Sequence, residues 1–387
     1  MKKLARCCSG ILIGSLCVVE HSRAQTADQD ALVFSADVQH LYDTNFFRSP
    51  EEIEEQITRA GAGIRFSKQF SSQRVMLSAT GNQYRYSEQE DLNTSAFEGR
   101  ASWRSQFTSS ASTQVDWQRE ETPVDKLEFV GKDVVAREDA NAQLSIGDSK
   151  RVGFIFGYHQ LDMTHSNLER RSLDYQDRDF FSEIRYRLSS DSWFGLRYRD
   201  GDRQHQALDL IRGDVDFDYH QWELETLWAL TPKTTLTGLV GYFDRTAKTD
   251  AIADNDGEGN LASLKMEWAI TEKLTTDLIY RFNQPAIGET SDSPAEVSDG
   301  SMLLRWQFTP KLQLECGTRY AEFYYEERVA VVERTERLLS ITPLQVSWAY
   351  SDAIGVRLLS QWTDRSSPLL YRDYQGYSVT LAFAVHL

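Results

Sequence analysis

The chain is poor in cysteine, with four in 387 residues, and three of those four fall within the first 17 positions. Cys7, Cys8 and Cys17 belong to an expected leader, so only Cys316 remains and an internal disulfide framework is excluded. Beyond that leader no run of 18 apolar residues occurs, which excludes helical membrane spans. Basic residues are too few to balance the acids, 42 against 58, giving a formal net charge of −16. That balance argues against a nucleic-acid partner. Catalytic signatures are also missing. His40, His159, His165, His205, His220 and His386 form no H-x-x-x-H pair, and there is no G-x-S-x-G elbow. The expectation is a protein that is not an enzyme and holds no cofactor and no metal. Asp254-Asn255-Asp256-Gly257-Glu258-Gly259 opens like a calcium loop, but Lys265 stands where the bidentate Glu is needed. A solvated acidic loop is expected there.

The first residues set the compartment. Lys2, Lys3 and Arg6 precede an apolar stretch from Cys7 to Val19, and Ser22-Arg23-Ala24 offers small residues for cleavage. This pattern predicts a secretory signal peptide over 1–24 and a mature chain over 25–387. The leader carries four basic residues and one acid, so its removal takes the formal charge from −16 to −19.

Aromatic residues are plentiful, with 9 Trp, 17 Tyr and 19 Phe against 8 Pro, which favours strands. The clearest segment sets Phe97, Gly99, Ala101, Trp103, Ser105 and Phe107 against Glu98, Arg100, Ser102, Arg104 and Gln106. The last segment sets Tyr377, Val379, Leu381, Phe383, Val385 and Leu387 against small and polar residues. Eighteen such period-two segments can be read, with sixteen as the nearest alternative count. Their connections alternate strictly between eight short turns and nine long polar loops. This predicts an all-β fold: a transmembrane antiparallel β-barrel with short periplasmic turns and long extracellular loops.

A hairpin repeat supports the reading. Trp228-Ala-Leu-Thr-Pro-Lys, Trp268-Ala-Ile-Thr-Glu-Lys, Trp306-Gln-Phe-Thr-Pro-Lys and Trp348-Ala-Tyr-Ser-Asp recur every 38–42 residues. A propeller blade would need four strands in that length, and these repeats hold two. Eight of the nine tryptophans share parity with the apolar face, in two groups near the two rims, as a bilayer interface selects. The expected location is the bacterial outer membrane, with the lipid bilayer as partner.

The opposite face is rich in charge. Arg185, Arg187, Arg197, Arg199, Arg100, Arg104, Arg281, Arg305 and Arg319 point inward by parity, and Arg65, Arg74, Lys265 and Arg357 bring the basic count to thirteen. Ten acids share that face, so the lumen is near +3 in a strongly acidic chain. Arg185, Arg187, Arg197 and Arg199 flank one short turn and predict an electropositive strip able to grip carboxylates or phosphates. An ion-pair lattice that only braces the wall is the plainer alternative.

Tyr42-Asp43-Thr44-Asn45-Phe46-Phe47-Arg48, Lys68-Gln69-Phe70-Ser71-Ser72-Gln73-Arg74 and Tyr84-Arg85-Tyr86 resemble the EpsL-type outer-membrane barrels, a β-barrel porin group linked to exosortase gene clusters. The resemblance covers essentially the mature chain, although Leu387 departs from the usual aromatic end. It implies a role in exopolysaccharide biosynthesis or export, with the lumen arginines contacting an anionic polysaccharide and periplasmic export proteins as partners. It brings no catalytic residues. A general diffusion porin for small solutes and an outer-membrane lipid hydrolase are the alternative readings.

Overall fold

The computed structural model describes residues 31–387 except 148–149, 190–191, 209–212, 250–254 and 327–332. The expected leader lies outside the described residues, as do Asp254 and part of the turn at 189–192. The first six strands are β1 (Ala31–Asp43), β2 (Glu55–Phe70), β3 (Gln73–Tyr86), β4 (Thr94–Thr108), β5 (Ala111–Pro123) and β6 (Val134–Ile146). Then come β7 (Val152–His165), β8 (Tyr175–Ser189), β9 (Ser192–His205), β10 (Phe217–Thr231), β11 (Thr234–Ala247) and β12 (Gly257–Ala269). The rest are β13 (Leu274–Asn283), β14 (Glu296–Thr309), β15 (Leu312–Tyr325), β16 (Arg334–Ala349), β17 (Ile354–Ser366) and β18 (Tyr374–His386).

Each strand pairs antiparallel with the next, and β18 pairs with β1, so the eighteen-stranded sheet closes on itself. Phe34 and Leu387 exchange both backbone hydrogen bonds at the seam, at 2.9 and 2.8 Å. Closure removes the sheet edges, and it lets strands cross hydrocarbon without unpaired backbone groups.

The barrel is apolar outside and polar inside. Leu224, Val240, Leu264 and Leu278 are exposed on the outer wall, while Glu183, Arg197 and Glu223 are buried on the inner one. A water-filled exterior would penalise this arrangement. A lipid exterior favours it by roughly 25 cal/mol per Å² of apolar surface. Trp228, Trp268, Trp306 and Trp348 stand exposed beside the short turns, and Trp222 stands toward the other rim. Trp193 is the ninth tryptophan, and it is buried.

The repeated Thr-Pro-Lys and Thr-Glu-Lys turns have a local cause. The Thr231, Thr271 and Thr309 hydroxyls accept hydrogen bonds from the backbone N–H of Lys233, Lys273 and Lys311 at 3.1–3.3 Å. Pro343 sits in a register shift between Ile341 and Leu344, the bulge that its missing N–H requires.

Several strands run further toward the long loops than sequence periodicity predicts. The alternation of β9 fades at Arg199, yet its ladder runs to His205. Asp200 and Asp202 on its outer face pair across to Phe180 and Arg178 of β8. Above the bilayer an outward residue meets water and need not be apolar, so the pattern stops where the membrane stops.

The Tyr42–Arg48 stretch is a corner that locks β1 to its neighbours. Arg48 donates to both oxygens of Asp43, at 2.9 and 2.7 Å, and adopts φ +55° to do so. Asn45 is fully buried and donates to the carbonyls of Ser49 and Gln375, at 2.7 and 2.8 Å. Phe46 packs with Tyr86 and Leu92. Every side chain named here serves packing or backbone satisfaction.

Candidate functional site: the lumen wall and its strapped mouth

Charges on the inner wall fall into two regimes. On β8–β10 they interlock. Arg197, 2% exposed, contacts Glu183 at 2.6 Å, Glu223 at 3.2 Å and Glu225 at 2.6 Å. Arg199 bridges Asp179 at 2.8 Å and Glu223 at 3.2 Å. Arg185 bonds Glu183 at 2.6 Å and stacks over the Trp193 ring at 3.7 Å. Three of the four arginines in the predicted strip are thus held by carboxylates. Arg187, nearest the short turn, has no carboxylate partner among the described residues and lines a small crevice with Gly147, Lys150 and Arg185.

On β2–β4 the arginines alternate with hydroxyls and amides instead. Arg65, Ser78, Arg100 and Gln118 lie in one cross-strand row. Arg74 faces Arg104 directly in another, followed by Gln114. Arg74 donates to the Ser67 hydroxyl at 3.4 Å. Arg100 is exposed, and the Nε of Arg104 is buried without a partner. Among the described residues no carboxylate bridges Arg74, Arg100 or Arg104, so this wall presents positive charge to the lumen. Elsewhere Arg305 bonds Asp277 at 3.0 Å and Glu315 at 3.2 Å, and Arg319 bonds Asp299. Arg281 lies opposite Asp299 in register, without a bridge to it.

The loop mouth holds what periodicity could not reveal. The segment 284–295, between β13 and β14, folds inward. Its Ala286 and Ile287 are buried, and Asn255 clamps Ile287 through the backbone N–H at 2.7 Å and the carbonyl at 3.2 Å. Glu289 bonds Arg203 of β9 at 2.6 Å. Ser291 N–H donates to Glu128 at 3.4 Å. Asp292 bonds Arg334 of β16, and Arg372 just before β18 at 3.3 Å. β9 and β16 are seven strands apart in the ring, so the segment spans the mouth like a strap.

A second inward segment, 124–133, meets the strap from between β5 and β6. Lys126 lies over the Phe46 ring at 5.7 Å, and Glu128 is 3.6 Å from Arg170. Burial pushes the Glu128 carboxyl above its ordinary range, against the pull of Arg170 and Arg372. For Glu289 burial acts in the same sense, but Arg203 and Arg245 outweigh it and hold the carboxyl low. Under the strap, Arg334, Arg365 and Arg372 converge on Glu336, which is fully buried.

No protein-family model matches the sequence, and no curated protein is significantly similar to it. Solved structures share the fold. The Pseudomonas aeruginosa outer-membrane protein OpdL aligns with a TM-score of 0.52 at 12% identity, covering 93% of this chain and 99% of that one. OccK9 (OpdG) of the same organism aligns at 0.53 and 11% identity, covering 92% and 98%. OpdK of that organism with vanillate aligns at 0.51 and 11%, covering 92% and 99%. Such likeness establishes the fold, and with the apolar outer band it makes this chain a bacterial outer-membrane barrel of porin architecture.

Proposed function

We propose that this barrel is a channel for small solutes, with a preference for anions. The observation that carries the reading is the strap. A segment tied to walls seven strands apart subdivides the mouth, which suits small molecules rather than a continuous polymer. Arg74, Arg100 and Arg104, from two rows of that wall, offer weak, successive contacts to a passing anion, as transport requires. OpdK, of the same fold, has been solved with vanillate, and a solute of that size fits the reading.

The polysaccharide conduit is the second reading. It rests on the sequence resemblance, and the Tyr42–Arg48 part of that resemblance is accounted for by the corner at β1. Coupling to periplasmic export proteins belongs to that reading. The test is purified protein in planar bilayers. Stable single-channel currents with anion preference, blocked by small carboxylates and indifferent to long anionic glycans, support the proposal. A silent barrel whose gene deletion abolishes surface polysaccharide would overturn it.

A further inference from the structure

The strap delivers two carboxylates into arginine sites that the walls build without it. Arg203 already bonds Asp177 on β8 at 2.6 Å and lies over the Tyr175 ring at 4.3 Å; Glu289 then takes its Nη1. Across the mouth, Arg334, Arg365 and Arg372 all bond Glu336 on the wall, and Asp292 of the strap joins Arg334 and Arg372. The fit of Asp292 is incomplete: its Oδ1 is buried without a hydrogen-bond partner although Arg334 and Arg372 both contact the carboxylate through Oδ2. A tethered carboxylate takes the orientation its backbone permits. A free one can turn both oxygens onto the guanidinium pair.

We propose that Glu289 and Asp292 are built-in competitors: they occupy arginine sites at Arg203 and at Arg334/Arg372 that bind the carboxylate of a small organic acid when the strap lifts. This deepens the channel reading and rests on it. A tethered competitor acts intramolecularly, so a solute must reach a correspondingly higher concentration to take its place. The strap then serves as a lid that the solute itself displaces. Binding remains weak because the strap returns, which suits passage rather than retention.

Benzoate and its neutral isostere benzamide are the probes, applied to the full barrel in planar bilayers. In the Glu289→Gln, Asp292→Asn variant the strap keeps its shape and loses both charges. Half-maximal block of ion current by benzoate should move to about tenfold lower concentration, the tethered competitor being gone. Block by benzamide should not move. A second readout does not depend on current. With Cys316→Ser as background, Ser293→Cys, at a buried strap position, should react several-fold faster with a membrane-impermeant maleimide when benzoate is present. Unchanged benzoate block in a conducting variant, or equal shifts for both probes, overturns the competitor proposal and leaves the channel reading standing. Labelling indifferent to benzoate counts against the lid in the same way. A folded, inserted barrel that carries no current removes both.

Discussion

Replacing Arg197 by Met tests whether the β8–β10 charges brace the wall. The guanidinium is 2% exposed and touches Glu183, Glu223 and Glu225 within 3.2 Å. Methionine fills much of the same volume and supplies no charge, so three carboxylates would face one another in a buried setting. Removing one member of a buried ion cluster costs about 3–5 kcal/mol. Two of the carboxylates keep help: Glu183 retains Arg185 at 2.6 Å and Glu223 retains Arg199 at 3.2 Å. The lower end, about 3 kcal/mol, is therefore expected, a change of roughly a hundredfold in the folding equilibrium. The assay is urea-induced unfolding in detergent, followed by heat-modifiable gel mobility. Arg100→Met is the control. Its side chain is exposed and bridges no carboxylate among the described residues, so it should cost less than about 1 kcal/mol and should instead reduce anion preference. A loss under about 1 kcal/mol for Arg197→Met would refute the brace. Lost anion preference with intact stability would return the strip to a transport role.

Leu224→Arg or Leu278→Arg, both lipid-exposed, should cost about 2–4 kcal/mol, and Gln114→Arg on the inner face far less; equal tolerance in the same assay would reverse the facing. Asn45→Ala should cost about 2 kcal/mol in urea unfolding, because it leaves the Ser49 and Gln375 carbonyls unmet in a buried corner. Glu289 is held low, so its latch is fully present above the ordinary carboxylate range and is lost as pH falls through its depressed value. Acidification below roughly pH 4 should thus speed cleavage of the 284–295 segment by pepsin, and should do so less in a Glu289→Gln variant, which has already lost the latch. Glu128 is raised, so protonating it favours the docked segment 124–133, and mild acid should slow proteolysis there.

The barrel was legible because a bilayer imposes one rule on every strand. Outward parity must be apolar only across the hydrocarbon, and Trp228, Trp268, Trp306 and Trp348 mark where that rule begins. The same rule hides strand ends, since Asp200 and Asp202 are outward, polar and still in the ladder. Inward parity also placed Arg185, Arg197 and Arg199 on the lumen side. It could not tell a paired arginine from a presenting one. That depends on cross-strand register: Arg197 lies opposite Glu183 and Glu223, whereas Arg104 lies opposite Arg74 and Gln114. Bulges at the short turns shift such register by a residue, and no single strand reveals them. The strap was illegible for a different reason. Glu289 and Asp292 sit in an irregular segment without periodicity, and their partners come from β9, β16 and the approach to β18.

The brace and the strap belong to one network. From the short-turn end, Arg185 joins Glu183, which joins Arg197, then Glu223, Arg199 and Asp179. The Tyr219 hydroxyl links Asp179 to Asp177 at 3.4 and 2.8 Å, and Asp177 holds Arg203, which holds Glu289 of the strap. A lid that opens and recloses needs a seat that stays in place. Arg203 has one: Asp177 bonds its Nε and Nη2, and the Tyr175 and Phe217 rings flank it at 4.3 and 5.3 Å. A rigid seat keeps the ordering cost of rebinding small, so a lifted strap would return to one position. On the proposed channel reading, the β8–β10 ion pairs serve transport without touching solute: they keep Arg203 aimed at the mouth while the presenting arginines of β2–β4 meet what passes through.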